Sequence, residues 1–113
     1  MRQRDRAASL KFHRWCKMDL TFATSSEIAA AVKNGKVTAL EVTRHFMSRV
    51  QTLDKQINAF VTVNEKAEEA AKAVDAKIAA GKDPGALAGV PVAVKDLLCT
   101  KGLRTTASSK ILG

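Results

Sequence analysis

A lysine followed at once by an aspartate, Lys95-Asp96, closes a long apolar stretch that runs from Leu87 to Val94. An amine in that position can work as a general base if it is neutral. Free lysine titrates near 10.4, so base catalysis at neutral pH needs a depression of about three units, roughly 4 kcal/mol. Burial among apolar side chains shifts a lysine in that direction, and α/β proteins bind ligands beyond the carboxyl ends of strands. From position alone, a solvated ion pair between the two neighbours is the simpler description. If Lys95 is a base, the Asp96 carboxylate would favour its charged form, so that carboxylate has to be engaged elsewhere.

Other reactive groups are sparse. Cys16 and Cys99 lie far apart, form no Cys-x-x-Cys pair and have no histidine at zinc-ligand spacing. No disulfide framework or metal site is expected, which suits a reducing, cytoplasmic setting. A catalytic cysteine needs a histidine close in space, and the candidates are His13 and His45. Without one, Cys99 reads as a small packed residue.

The elements that would position Lys95 are legible from their punctuation. Thr24 with Glu27 forms a capping box ahead of a short helix whose inward stripe is Ile28, Ala31 and Val32, and Asn34-Gly35 ends it. Thr38 with Glu41 repeats the box. Leu40, Thr43, Met47, Val50, Leu53 and Ile57 then follow at spacings of three and four, which predicts a long amphipathic helix with Arg44, Ser48, Arg49 and Lys55 on its solvated face. The β-forming run 58–63, NAFVTV, predicts a brief strand or extended link.

Asn64 is expected to cap a third helix with an inward stripe of Ala67, Ala70, Ala71, Val74 and Ile78, and with Glu68 and Lys72 paired along its surface. Gly81 to Gly85 breaks that helix. Leu87 to Val94 lacks polar alternation, as a strand covered on both faces does, with Pro91 at its start or at a bulge. A loop with Gly102 and the polar run 105–109 follows.

The net charge of +8 divides unevenly: residues 1–17 hold six arginines and lysines against Asp5, contributing +5 and leaving +3 for the rest. This head is read as a basic, disordered extension of residues 1–17 ahead of a body at 18–113. It could serve as an RNA-binding arm or an organellar targeting segment, or lie outside a working protein that starts at Met18. A small basic RNA-associated interaction module is the reading from a different functional class. It lacks stacking residues, since Trp15 is the one tryptophan, tyrosine is absent, and Phe46 falls in a helix.

The string 87–112, LAGVPVAVKDLLCTKGLRTTASSKIL, resembles the first signature segment of the amidase-signature family. The segments SSEIAAAVKNGKVTALEVT and QINAFVTV are similar to the helical region ahead of it, so the resemblance covers residues 19–113. Within the family, the tRNA-dependent amidotransferase subunits are the most similar branch. The resemblance implies an α/β fold with helices around a large mixed sheet, of which this chain holds the N-terminal helices and first strands.

It also implies a Ser-Ser-Lys triad, with the lysine at Lys95 and one of the serines in a cis peptide. Both serines belong to a Gly-Ser-rich segment expected beyond residue 113; Ser108 and Ser109 do not match it and are expected to shape their loop. The 113 residues alone are therefore expected to be an inactive N-terminal portion. In the complete enzyme, the resemblance implies hydrolysis of glutamine and transfer of ammonia to a partner subunit of a heteromeric complex. That partner would use ATP and magnesium on a charged tRNA, with no cofactor held by this chain. Another hydrolase of small amides is the alternative inside the family.

Overall fold

The computed structural model describes residues 18–112. Three helices carry its order: α1 (Ser25–Lys33), α2 (Ala39–Ile57) and α3 (Ala67–Ala79). Both capping boxes form. Thr24 Oγ1 accepts the Glu27 N–H and Glu27 Oε2 accepts that of Thr24 at 2.8 Å, with the same exchange between Thr38 and Glu41. Each box satisfies donors that the first helical turn leaves without internal partners. The Thr24 and Thr38 amides are also the main reason that the Glu27 and Glu41 carboxyls titrate below the ordinary glutamate value.

α2 and α3 pack side by side and run in opposite directions. Arg44 of α2 bonds Glu68 of α3 at 2.9 Å, while Ala39 at the start of α2 bonds Asp75, further along α3. The core is small: Ile28, Val32, Ala39, Val42, Ala71 and Ala88 are buried together, with Leu20, Phe46, Val74 and Val90 packed partly against them. Val42 and Ala39 are fully enclosed although the stripe expected for α2 omits both. That stripe holds near Thr43 and fails at Leu53 and Ile57, which are exposed. Geometry explains the loss: α3 begins opposite Arg44, and the thirteen residues from there to Ile57 carry α2 about 20 Å past it.

α3 also departs from expectation at its start. Asn64 is not its cap; it lies two positions before Lys66, whose N–H it accepts at 3.0 Å, and Lys66 caps the helix with no side-chain bond. Ala70 is exposed, and the inward face runs through Ala71, Val74, Asp75 and Ile78.

Among the described residues there is no β-strand, which corrects the strand assigned to 87–94 and leaves 58–63 as the extended link. After α2, Asn58 turns left-handed at φ 52, and Asp54 Oδ1 accepts the N–H groups of Ala59 and Phe60 at 2.7 and 3.2 Å. Those amides are thereby unavailable to a ladder. Leu87 to Val90 form a turn closed by the Val90 N–H on the Leu87 carbonyl, and 91–95 run on without a paired neighbour. A strand exists only through its partner, so the mixed sheet is not part of the described structure. No described helix is long and apolar enough to cross a membrane. The basic head, including His13, Trp15 and Cys16, lies outside the described residues.

Candidate functional site

The segment leading to Lys95 is fastened to the helices at its beginning. Ala88 is buried, and Gly89, at φ +70, sits where a Cβ would come within 2.9 Å of Val32 and 3.0 Å of Ala39. Only glycine meets both demands, the left-handed backbone and the close approach between α1 and α2. Beyond this point burial is lost. Val92 and Val94 are 67% and 49% exposed, and Lys95 is exposed. The apolar cover expected around the lysine is thus absent among the described residues, because 91–95 have no neighbouring strands or covering layer.

The backbone turns sharply at the lysine, where the Leu98 N–H bonds the Lys95 carbonyl at 2.9 Å. The next residue folds the loop back on itself. Asp96 Oδ1 accepts the Thr106 N–H at 2.9 Å, Oδ2 accepts the Thr106 hydroxyl, and the Ser108 N–H approaches Oδ2 at 3.4 Å. The Asp96 carbonyl takes the Ala107 N–H at 3.0 Å. The hydroxyl bond from Thr106 is the first cause that holds the Asp96 carboxyl below the ordinary aspartate value, with its amide, the Ser108 amide and the Arg104 charge adding to it.

No ion pair joins Lys95 to Asp96; the salt bridge among the described residues is Arg44 with Glu68. A hollow of about 350 Å³ beside the clamp is lined by Arg104, Thr106, Ser108, Ser109 and Lys110. Ser109 Oγ accepts the Ile111 N–H at 3.2 Å, and Ser108 contributes its amide to Asp96 and to Thr106 Oγ1. Both serines therefore act within the loop.

Cys99 is free and exposed, not packed, since the loop that carries it has no layer above it. His45 bonds the Thr21 hydroxyl at 3.0 Å and meets the Phe46 ring edge-on at 5.2 Å, an arrangement that ties the segment before α1 to α2. Among the described residues no three His, Cys, Asp or Glu side chains are grouped to hold a metal ion. Sequence reasoning singles out Lys95 and misses Thr106 as the partner of Asp96. The polar run at 105–109 is its one trace, because a threonine hydroxyl commonly bonds nearby backbone or carboxylate groups.

The Amidase family model matches residues 41–113. The chain is similar to proteins named as the A subunit of glutamyl-tRNA(Gln) amidotransferase. It is 56% identical over 95 residues to that of Bdellovibrio bacteriovorus, covering 84% of this chain and 19% of the relative. It is 50% identical to that of Salinispora arenicola, covering 83% and 19%, and 46% identical to that of Carboxydothermus hydrogenoformans, covering 84% and 20%. The chain thus spans about a fifth of the length of these curated relatives. No solved structure matches it.

Proposed function

The chain belongs to the amidase family, and from that premise we propose that it supplies the catalytic lysine, Lys95, of a glutamine-hydrolysing amidotransferase subunit. The observation that supports this most directly is the corner at Lys95. It lies inside the family match, and the one adjacent carboxylate is bound to Thr106 rather than to the amine.

In the proposed reaction a serine hydroxyl attacks the glutamine side-chain carbonyl. Its proton passes through a second serine to the neutral Lys95 amine. Collapse of the tetrahedral intermediate releases ammonia, which takes up a proton as it leaves, and water then hydrolyses the acyl-serine to glutamate. Neither serine is assigned to Ser108 or Ser109, whose bonds lie within their own loop. The two would come from a Gly-Ser-rich segment outside these residues, and the mixed sheet of the family would pair with 91–94 and bury Lys95, which favours a neutral amine. Ammonia then passes to a partner subunit acting on a charged tRNA. ATP and magnesium belong to that partner in the proposal, and no step on this chain runs through them.

The RNA-module reading is not favoured, since the matched region is the helical body and the Lys95 loop, not the basic head. The small-amide alternative differs only in the substrate pocket, and the names of the relatives favour an amidotransferase subunit. The test is glutamine hydrolysis by the complete subunit with Lys95→Ala and Lys95→Arg, folding being checked for each. Both should lose at least about a thousandfold, because a guanidinium stays protonated and cannot accept the serine proton. Retention of most activity by Lys95→Arg would refute the assignment.

A further inference from the structure

An anion one residue from a catalytic amine is a hazard to it, since a carboxylate that pairs with lysine stabilises the ammonium and removes the base. The described structure commits Asp96 elsewhere at each of its three oxygens. Oδ1 is held by the Thr106 amide, Oδ2 by the Thr106 hydroxyl and the Ser108 amide, and the main-chain carbonyl by the Ala107 amide. Thr106 is buried, and its Oγ1 also takes the Ser108 N–H at 3.2 Å. The return of the loop depends on left-handed backbone at two consecutive non-glycine residues, Ala107 and Ser108, at φ 49 and 58. Such a conformation is held only where surrounding contacts enforce it.

We infer that Thr106 is a positioning residue for Lys95, holding the Asp96 carboxylate off the lysine amine so that the amine stays free to accept a proton. The inference rests on the proposed role of Lys95. The charged groups around the clamp are on the same loop: Arg104 acts on Asp96 and shares the hollow with Lys110, and Lys101 lies in the intervening turn. Among the described residues no helix side chain bonds Asp96. Arg104 therefore adds to the work of Thr106 by attracting the same carboxylate.

The experiment follows kcat/KM for glutamine against pH in the complete, assembled enzyme. The reading is the acidic limb, along which activity rises as the base loses its proton. In Thr106→Val, Asp96 Oδ2 keeps only the long contact to the Ser108 amide, and the limb should move to higher pH by about one unit, a loss of roughly tenfold below it. Thr106→Ser, which keeps the hydroxyl, should leave the limb at its wild-type position. Adding Asp96→Asn to Thr106→Val should bring it back, since a neutral amide does not favour the ammonium.

A limb that stays in place in Thr106→Val, whatever the loss of activity, overturns the inference, as does a double variant whose limb stays displaced. If Thr106→Val fails to fold, Asp96→Asn alone decides: its limb should lie at or below that of the wild type, and an upward shift sinks the idea. Activity in Lys95→Arg would instead remove the reading beneath it. An inactive Lys95→Arg with an unmoved Thr106→Val limb removes the positioning role alone.

Discussion

Asp75, on α3, receives the first free amide of α2: its Oδ1 accepts the Ala39 N–H at 2.7 Å, and its Oδ2 accepts that of Leu40 at 3.1 Å. With Thr38 bonding the Glu41 amide, three donors at the start of α2 are satisfied by side chains, one of which comes from another helix. The negative charge also lies at the positive end of the α2 dipole. Ala39 is fully buried, so water cannot replace the carboxylate at its amide.

Asp75→Ala should therefore destabilise the fold by about 2 kcal/mol, more than the loss of an ordinary exposed cap, because hydrogen bonds to a charged group are worth about 1.5–3 kcal/mol and a buried amide is left unpaired. Asp75→Asn, which keeps one acceptor, should cost less. Denaturant unfolding of the three proteins gives the comparison, and a cost below about 0.5 kcal/mol for Asp75→Ala would mean that the contact contributes little.

Gly89→Ala tests how the site segment is fastened. The added methyl would meet Val32 at 2.9 Å and Ala39 at 3.0 Å, two side chains that are themselves buried in the core, and the backbone there has φ +70. Left-handed backbone costs an alanine about 1–2 kcal/mol and overpacking typically adds about 1–3. A loss of about 2–4 kcal/mol is expected from the two together, with faster amide exchange spreading from 88–90 into the facing ends of α1 and α2. Gly102→Ala serves as the control for backbone strain alone, since no atom lies within 4 Å of its added methyl at φ +81. Equal losses in the two variants would show that the close approach at Gly89 contributes nothing.

The difference between what is and is not legible in the residues follows the range of the interaction. Thr24 with Glu27 and Thr38 with Glu41 act across three positions, and both boxes are present as spelled. Asp75 resembles any polar residue of an alanine-rich helix until Ala39, thirty-six positions earlier, is brought against it. Its place four residues after Ala71 puts it on the inward face, where alanine content alone would put Ala70. The strand expected at 87–94 fails for a related reason, because its β-forming residues state a preference that only a partner can realise. At the candidate site, Lys95 is visible by type and position, and the need to divert Asp96 follows from charge alone. The residue that diverts it, ten positions on, requires the fold of the loop.

The last prediction concerns acid. Glu27 and Glu41 both titrate below the ordinary glutamate value, first because they accept the amides of Thr24 and Thr38 and then because they accept their hydroxyls. A carboxyl with a depressed folded value binds fewer protons folded than unfolded. Its contribution is therefore fully present above the unfolded glutamate value near 4.5 and is lost as pH falls through the folded value. Glutamine at these positions can still accept the Thr amide in a capping box but carries no proton to gain. The Glu27→Gln/Glu41→Gln double variant should thus be slightly less stable than the wild type at pH 7, and the gap should close as both are taken from about pH 5 to about pH 3. Asp96 and Glu68 are also held below their ordinary values, so the quantity to read is the difference between the two curves. Urea midpoints measured at half-unit steps give it, and a gap that stays constant across the window would show that neither cap is coupled to its proton.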